Sequence, residues 1–138
     1  DVAAVHPPED VCYRGGGFDD KYRDFFAAGR EFRQPAFLAT SFVEETARKF
    51  IRMRGNDNCV MWIIRIDPVR KCRHVNLVKR VVPGLADEQE YLFAPYSAFT
   101  VISSVWNAGT VDNPHVFQLF AAADNKEKSE ELPLAPWS

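Results

Sequence analysis

Hydrophobic positions follow two different spacings along this chain, and the spacing changes near residue 55. Between Val43 and Met53 the apolar residues fall near helical spacing, which predicts an amphipathic helix that ends at Gly55. Residues 59–66 then form a nearly continuous apolar run that Asp67 and a proline close. This pattern is typical of a strand that is buried on both faces.

Shorter apolar runs, rich in β-branched and aromatic residues, predict strands at 11–14, 36–42, 75–82, 91–93, 99–105 and 116–121. We expect the triple glycine at 15–17 to end the first strand, since such a run permits positive φ and a close backbone approach. Asp19 is the predicted N-cap of a short helix that reaches about residue 28 and is closed by Gly29. Short helices early and strands late favour an α+β class over a doubly wound parallel sheet.

Length and composition indicate one soluble globular domain over residues 1–138, with 1–10 and 125–138 peripheral. The chain is 46% hydrophobic and 26% charged, which excludes disordered, collagen-like and coiled-coil classes. No apolar run approaches the roughly 18 residues of a membrane span, and the amino terminus lacks a signal-peptide pattern. Because the first residue is not Met, we expect a processed chain or an excised domain, and both a secreted effector and a cytoplasmic protein remain open.

Charge is unevenly distributed although the formal net charge is only −2. Residues 1–80 carry 15 Lys and Arg against 11 Asp and Glu, whereas residues 81–138 carry 2 against 8. The basic first part and the acidic second part of the sequence form either two solvated faces or two walls of a cleft for an anionic ligand. A net negative chain argues against binding that depends on nucleic-acid phosphates.

Cysteine and histidine do not suggest a metal site or a nucleophilic triad. Cys12, Cys59 and Cys72 have no metal-ligand spacing, and we interpret them as free, largely buried thiols. The three histidines, 6, 74 and 115, are far apart, and we interpret each as a surface or packing residue. No phosphate-binding loop, nucleophile elbow or zinc-protease motif is present. We expect no metal.

Three small clusters of polar residues remain as candidates for chemistry. Arg14 directly precedes the triple glycine. It is interpreted either as a surface arginine beside a turn or as a guanidinium that binds a pyrophosphate. Thr40 and Ser41 interrupt an apolar strand, where hydroxyls by default bond neighbouring backbone. Glu88 and Glu90 lie two residues apart, which places both side chains on one face of a strand. They form either a solvated turn or a carboxylate pair at a cleft, in which the pKa of one member is raised.

Taken in order, these clusters resemble the R-S-E signature of mono-ADP-ribosyltransferases, in the arginine-specific, toxin-related branch with an E-x-E motif. The matching pieces are Arg14 in CYRGG, the run FLATS that ends at Ser41, and the E-x-E of Glu88 and Glu90 followed by YLFAPYS. The resemblance covers residues 11–105. It implies two roughly perpendicular, antiparallel-rich β-sheets flanked by short helices, with an NAD cleft between them.

The resemblance also implies how NAD is held as co-substrate. Its pyrophosphate would lie against Arg14 and Gly15, with Arg52 or Arg54 as a second arginine. Thr40 and Ser41 would be what remains of the family's Ser-Thr-Ser contact with NAD. Phe50 would place its ring against nicotinamide, the alternative being a core position of the amphipathic helix.

The implied reaction transfers ADP-ribose from NAD to an arginine of a protein acceptor and releases nicotinamide. Glu90 would bond the ribose and counter the positive charge that develops on it, as carboxylates do in glycoside hydrolysis. Glu88 would bind the incoming guanidinium.

One departure from the family keeps other functions open. Ala39 stands where the family has the first serine, and one lost hydrogen bond of about 1–3 kcal/mol corresponds to a ten- to hundredfold slower reaction. The alternatives are therefore an NAD glycohydrolase on the same scaffold and a non-catalytic domain that binds NAD or a partner protein.

Overall fold

A computed structural model describes residues 10–69, 75–78 and 90–136 of the chain. The strands in this part are β1 Val11–Gly17, β2 Glu31–Gln34, β3 Leu38–Ser41, β4 Cys59–Arg65, β5 Val75–Val78, β6 Glu90–Phe93, β7 Ser97–Val105 and β8 His115–Ala121. One α-helix, α1, spans Glu44–Arg54, and 3-10 helices span Asp20–Phe26 and Asn125–Glu127. The predicted α+β class is confirmed. No described helix is long and apolar enough to cross a membrane.

The strands follow the order β2-β7-β8-β4-β1-β3-β6-β5, and every described neighbouring pair is antiparallel except β4 and β8. Strand β1 pairs with β4 over its whole length, from Val11 opposite Arg65 to Gly17 opposite Cys59. Its ladder with β3 consists of the single pair Tyr13 and Ser41. The two halves of the sheet are therefore joined at one point, beyond which β1 and β3 run without further ladder pairs.

The two faces of this sheet pack against different elements. On one face α1 covers β1 and β4 through a small cluster of Ala47, Ile51, Cys59 and Met61. The opposite face carries a large aromatic core, in which the rings of Phe26 and Phe117 stack with centroids 4.4 Å apart. Aromatic side chains bury much apolar area each, so this face supplies most of the hydrophobic stabilisation.

The triple glycine does not end β1, contrary to the sequence prediction, because β4 pairs with it as far as Gly17. Positive φ occurs instead at Gly29, Gly55 and Gly109 among the described glycines. The expected close approach is real. A Cβ built on Gly15 would lie 1.9 Å from the carbonyl oxygen of Ala47 in α1, so glycine is required for the helix to pack on the strand.

Other expectations fare differently. The helix after Val43 and the buried strand from Cys59 are confirmed, and Asp19 caps the first 3-10 helix by accepting a hydrogen bond from the Lys21 N–H. Strand β2 was not predicted, because Arg33 and Gln34 are polar residues and nothing in the sequence indicates that they are buried. Residues 1–9, 70–74, 79–89 and 137–138 lie outside the described part, with His6, His74, Cys72 and Glu88 among them.

The end of the chain is held firmly against β2. The Arg33 N–H donates to the Pro133 carbonyl, and the Ala135 N–H donates back to the Arg33 carbonyl at 2.9 Å. Ala135 is buried. Cys12 and Cys59 are buried free thiols, as predicted.

Candidate active site

A cavity of about 260 Å³ opens on the α1 side of the sheet, where β1 and β3 part. It is lined by Tyr13, Arg14, Gly15, Ala39, Thr40, Ser41, Thr46, Ala47 and Phe50. We call it the helix-face cavity. Five residues that the sequence nominated for binding NAD meet in it, although 36 positions separate the first from the last in the chain.

Arg14 is a partly buried cation with little compensation. Its Nη1 donates to the carbonyl oxygen of Ala39 at 3.0 Å, across the gap between β1 and β3. Among the side chains that the structure describes, which do not include that of Glu90, no carboxylate lies within ion-pair distance of it. Burial lowers the pKa of the Arg14 guanidinium, yet arginine remains charged in proteins. An uncompensated, half-buried guanidinium with free donors suits an anionic ligand such as a pyrophosphate.

Phe50 forms a wall of the cavity and not part of the core. The apolar residues of α1 that turn inward are Ala47 and Ile51, whereas Phe50 is 47% exposed. Exposing half of an aromatic ring forgoes hydrophobic stabilisation. A flat ligand ring that covered Phe50 would recover it.

The two hydroxyl residues of β3 are buried and engaged with the backbone. Thr40 Oγ1 donates to the Tyr91 carbonyl at 2.7 Å, which ties β3 to β6. Ser41 Oγ accepts from the Val43 N–H at 3.0 Å just before α1 begins. Both therefore shape the cavity through local bonds, which is the default role of hydroxyls in such a strand.

The backbone of Glu90, the second glutamate of the E-x-E motif, lies beside the helix-face cavity. Glu90 is the first residue of β6 and pairs with Ser41, which in turn pairs with Tyr13. Positions 13, 41 and 90 thus form one row across three strands at the point where the two halves of the sheet join. Glu88 precedes β6 and lies outside the described residues.

The two arginines at the end of α1 lie in different surroundings. Arg54 packs on the end of β1, since a Cβ built on Gly17 would lie 2.2 Å from its Nε, and that Nε donates to the Asp57 carbonyl. Arg52 is ion-paired with Glu45 and borders a separate groove beside Val111. Only Arg54 adjoins the strand that carries Arg14.

Tyr13 and Thr46 also line the cavity and were missed in the sequence. Tyr13 stands next to Arg14, and Thr46 precedes Phe50 by four residues on α1. The helical spacing was visible. It became informative only once the face of α1 toward β3 was known.

Comparisons with known proteins bear on the fold. No protein-family model matches the chain, and no curated protein matches it significantly. Among solved structures, Vis toxin, an ADP-ribosyltransferase from Vibrio splendidus, matches with a TM-score of 0.62 at 20% identity over 90% of this chain and 51% of that one. Vis in complex with agmatine matches with the same TM-score.

Two further matches have the same printed activity. The ADP-ribosyltransferase HopU1 of Pseudomonas syringae has a TM-score of 0.62 at 16% identity, over 88% of this chain and 48% of its own. C3larvin toxin, an ADP-ribosyltransferase from Paenibacillus larvae, has a TM-score of 0.58 at 15% identity, over 88% and 66%. The chain spans about half the length of Vis and HopU1. At these identities the likeness concerns architecture, and the chain has the ADP-ribosyltransferase fold.

Proposed function

We propose that this protein is an NAD-dependent mono-ADP-ribosyltransferase that modifies arginine side chains of a protein acceptor. The observation that carries the proposal is the helix-face cavity, where Arg14 and Phe50 meet beside the row formed by Ser41 and Glu90. A cation with no counter-ion among the described side chains and a half-exposed ring suit a ligand that has both an anionic linker and a planar ring. NAD has both.

In this proposal each wall of the cavity has one task. Arg14 holds the pyrophosphate with the donors that Ala39 leaves unused. Arg54 is the better placed of the two candidates for a second phosphate contact, because it packs on the end of β1, whereas Arg52 borders a separate groove beside Val111. Phe50 covers the nicotinamide ring, while Thr40 and Ser41 hold β3 in position through their backbone bonds.

The glutamates carry the transfer itself. The bond between the ribose C1′ and the nicotinamide nitrogen breaks, and its electron pair leaves with nicotinamide. The carboxylate of Glu90 counters the positive charge that develops on the ribose. A guanidinium nitrogen of the acceptor then bonds to C1′, and Glu88 binds that guanidinium and accepts the proton it releases.

Two alternatives use the same cavity. A glycohydrolase would admit water in place of the acceptor. A non-catalytic binding domain would retain NAD without cleaving it, which Ala39 favours because the residue supplies no hydroxyl to the cavity.

The test measures nicotinamide release from NAD and capture of ADP-ribose on agmatine, for the wild type and for Glu90→Gln. We expect agmatine to be ADP-ribosylated, and Glu90→Gln to lower turnover at least a hundredfold with little change in NAD affinity. The matched control is Glu131→Gln, at an exposed position near the end of the chain.

Each other outcome selects a different function. Free ADP-ribose without agmatine product indicates the glycohydrolase, and NAD binding without nicotinamide release indicates the binding domain. In that last case Ala39→Ser should restore measurable turnover if the missing hydroxyl is the cause. A folded protein that does not bind NAD contradicts all three.

A further inference from the structure

The loop between β7 and β8, which we call the 106–114 loop, has a compact shape of its own. The Gly109 N–H donates to the Asn113 carbonyl at 3.0 Å. The side-chain Nδ2 of Asn107 donates to the Pro114 carbonyl at 2.8 Å. The loop therefore closes on itself through short hydrogen bonds.

This loop also holds the C-terminal end of α1 in place. Its Gly109 carbonyl accepts from the Cys59 N–H at 2.8 Å at the start of β4, and its Val111 N–H donates to Asn56 Oδ1 at 2.8 Å just beyond α1. The Val111 side chain packs against the buried cluster that includes Ala47 of α1. Ala47 also lines the helix-face cavity. The loop therefore supports the helix that forms one wall of that cavity.

His115, the first residue of β8, fixes the loop through its ring. Its Nδ1 accepts from the Asn107 N–H at 2.9 Å, so in the neutral ring the proton lies on Nε2. The residue is fully buried, and Nε2 has no hydrogen-bond partner in the described part of the chain. A Cβ built on Gly109 would lie 2.8 Å from Nε2. One loop residue therefore bonds the imidazole and another packs closely on it.

Only the neutral ring fits this position. A protonated imidazole carries an N–H on both nitrogens, so Nδ1 would present a donor to the Asn107 N–H. The ring packs among Phe18, Trp106 and Phe117, and a charge buried among aromatic rings without a hydrogen bond is costly. Opening of the loop would let the charged ring reach water.

The charged groups near His115 oppose one another. Among the described residues they are Asp20 and Arg23 of the first 3-10 helix, and Arg23 Nε donates to Asp20 Oδ1 at 2.9 Å. Burial is the main reason why the pKa of His115 is lowered, Arg23 adds to this effect and Asp20 opposes it. Since opening of the loop relieves the burial, the open form binds a proton more readily than the closed form.

We propose that His115 is a proton-sensitive latch, which closes the 106–114 loop over the end of α1 when neutral and releases it when protonated, so that acid loosens the α1 wall of the helix-face cavity. Control of NAD binding by this latch rests on the proposed function, whereas the latch itself does not. Each pH unit below about 6.5, the ordinary pKa of histidine, favours the open loop by up to about tenfold.

The experiment measures amide hydrogen exchange of the 106–114 loop at pH 7.5 and 5.5, corrected for the intrinsic exchange rate. We expect the protection of the loop amides to fall about tenfold at the lower pH, and these amides to exchange faster than those of β4, as a local opening requires. His115→Asn keeps an acceptor in place of Nδ1 and does not titrate, so its loop protection should change by less than about twofold. His115→Phe has no acceptor, so its loop should exchange rapidly at both pH values.

Asp20→Asn is the matched control, because it removes the carboxylate near the ring and leaves His115 in place. The pH dependence should persist in this variant. To test the link to the cavity, the exchange is repeated with saturating NAD in Glu90→Gln, which the proposed function expects to bind NAD and to cleave it slowly. NAD should raise the protection of the loop amides at least about fivefold, because it binds the closed form preferentially.

The outcomes separate the latch from the proposed function. Loop protection that is independent of pH in the wild type, or that falls equally in His115→Asn, overturns the latch. Equal protection of the loop and β4 also overturns it, because acid would then act on the whole fold. If calorimetry shows that NAD binds while the loop protection stays unchanged, the link to the helix-face cavity is wrong and the proposed function stands. A folded protein that does not bind NAD overturns the proposed function together with that link, whereas a pH-dependent loop would still support the latch.

Discussion

Two arginines, the buried Arg33 and the partly buried Arg14, lie in opposite kinds of surroundings. The Arg33 guanidinium makes five hydrogen bonds, all to backbone carbonyl oxygens: those of Tyr96, Asn125, Lys128 and, twice, Ser129. The Arg14 guanidinium makes one, to Ala39. Among the side chains that the structure describes, neither arginine has a carboxylate at ion-pair distance. All three guanidinium nitrogens of Arg33 therefore donate to the backbone, which holds the end of the chain, whereas Arg14 keeps donors without a partner among the described residues.

In the proposed function this difference separates a structural cation, Arg33, from a ligand-binding one, Arg14. Carbonyl dipoles that converge on Arg33 replace its hydration, so the chain itself stabilises the charge. Arg14 receives too few of them, and its pKa is lowered by burial. If Arg14 binds NAD as proposed, the bound pyrophosphate supplies the compensation that the chain does not. Substitutions at the two sites should therefore have opposite consequences for folding and for binding.

The largest effect is expected at Arg33. In Arg33→Met the carbonyl groups of residues 125–129 lose their shared donor and the end of the chain loses its anchor. We expect the free energy of unfolding in urea to fall by about 3 kcal/mol or more. Nucleotide affinity of the protein that remains folded should be unchanged. A loss of affinity without a loss of stability would break the contrast.

The next effect concerns the wall that carries Arg14. In Gly15→Ala the new methyl group would collide with the Ala47 carbonyl, which is backbone and cannot turn aside. We expect a loss of about 3 kcal/mol in the free energy of unfolding. Gly16→Ala is the matched control, because its methyl group would meet only Trp62 Nε1 at 3.9 Å. Equal stability of the two variants would show that α1 does not pack on β1 this closely.

How much of this was visible in the sequence depends on the range of the interaction. Helix α1 and strand β4 were predicted because their patterns are local and strongly periodic. Strand β2 was not, because Arg33 and Gln34 are polar, and only partners some 60 or more residues away in the chain bury Arg33. The candidates Arg52 and Arg54 are two positions apart, so on a helix their side chains point in directions that differ by about 200°. The sequence does not say which of the two directions faces Arg14, so it could not distinguish them.

The candidate site shows the same division. Arg14, Thr40, Ser41 and Phe50 were identified by their order in the chain, and the structure brings them to one cavity. The separation of β1 from β3 beyond the single pair Tyr13 and Ser41 was not foreseen, because it has no local signature in the sequence.

A smaller effect, on binding alone, is expected at Arg14. In Arg14→Met the apolar side chain replaces a charge whose one hydrogen bond among the described residues is to Ala39, so the free energy of unfolding should change by less than about 1 kcal/mol. The affinity for NAD should fall about thirtyfold, which corresponds to roughly 2 kcal/mol. Calorimetric titration with NAD measures this, and Arg65→Met, at an exposed arginine of β4, is the control. A destabilised Arg14→Met protein with normal affinity would place Arg14 with Arg33 as a structural residue.

The smallest effect tests a buried group that does titrate near neutral pH, unlike either arginine. His115 Nδ1 accepts from the Asn107 N–H, so the proton lies on Nε2, which has no partner in the described part of the chain. Burial, reinforced by Arg23 and opposed by Asp20, lowers the pKa of His115. The folded protein thus favours the neutral ring, and the unfolded chain binds an extra proton once the pH falls below about 6.5.

Stability should therefore be independent of His115 above about pH 6.5 and decline progressively below it. Urea denaturation at pH 7.5, 6.5 and 5.5 measures the slope, and His115→Phe should flatten it while the apolar ring stays packed against Phe18 and Phe117. A slope that survives in His115→Phe would assign the acid sensitivity to other groups. It would also show that burial of the His115 ring does not disfavour its protonation. The same urea measurement on Arg14→Met should show no change in the dependence of stability on pH, because arginine stays charged throughout this range.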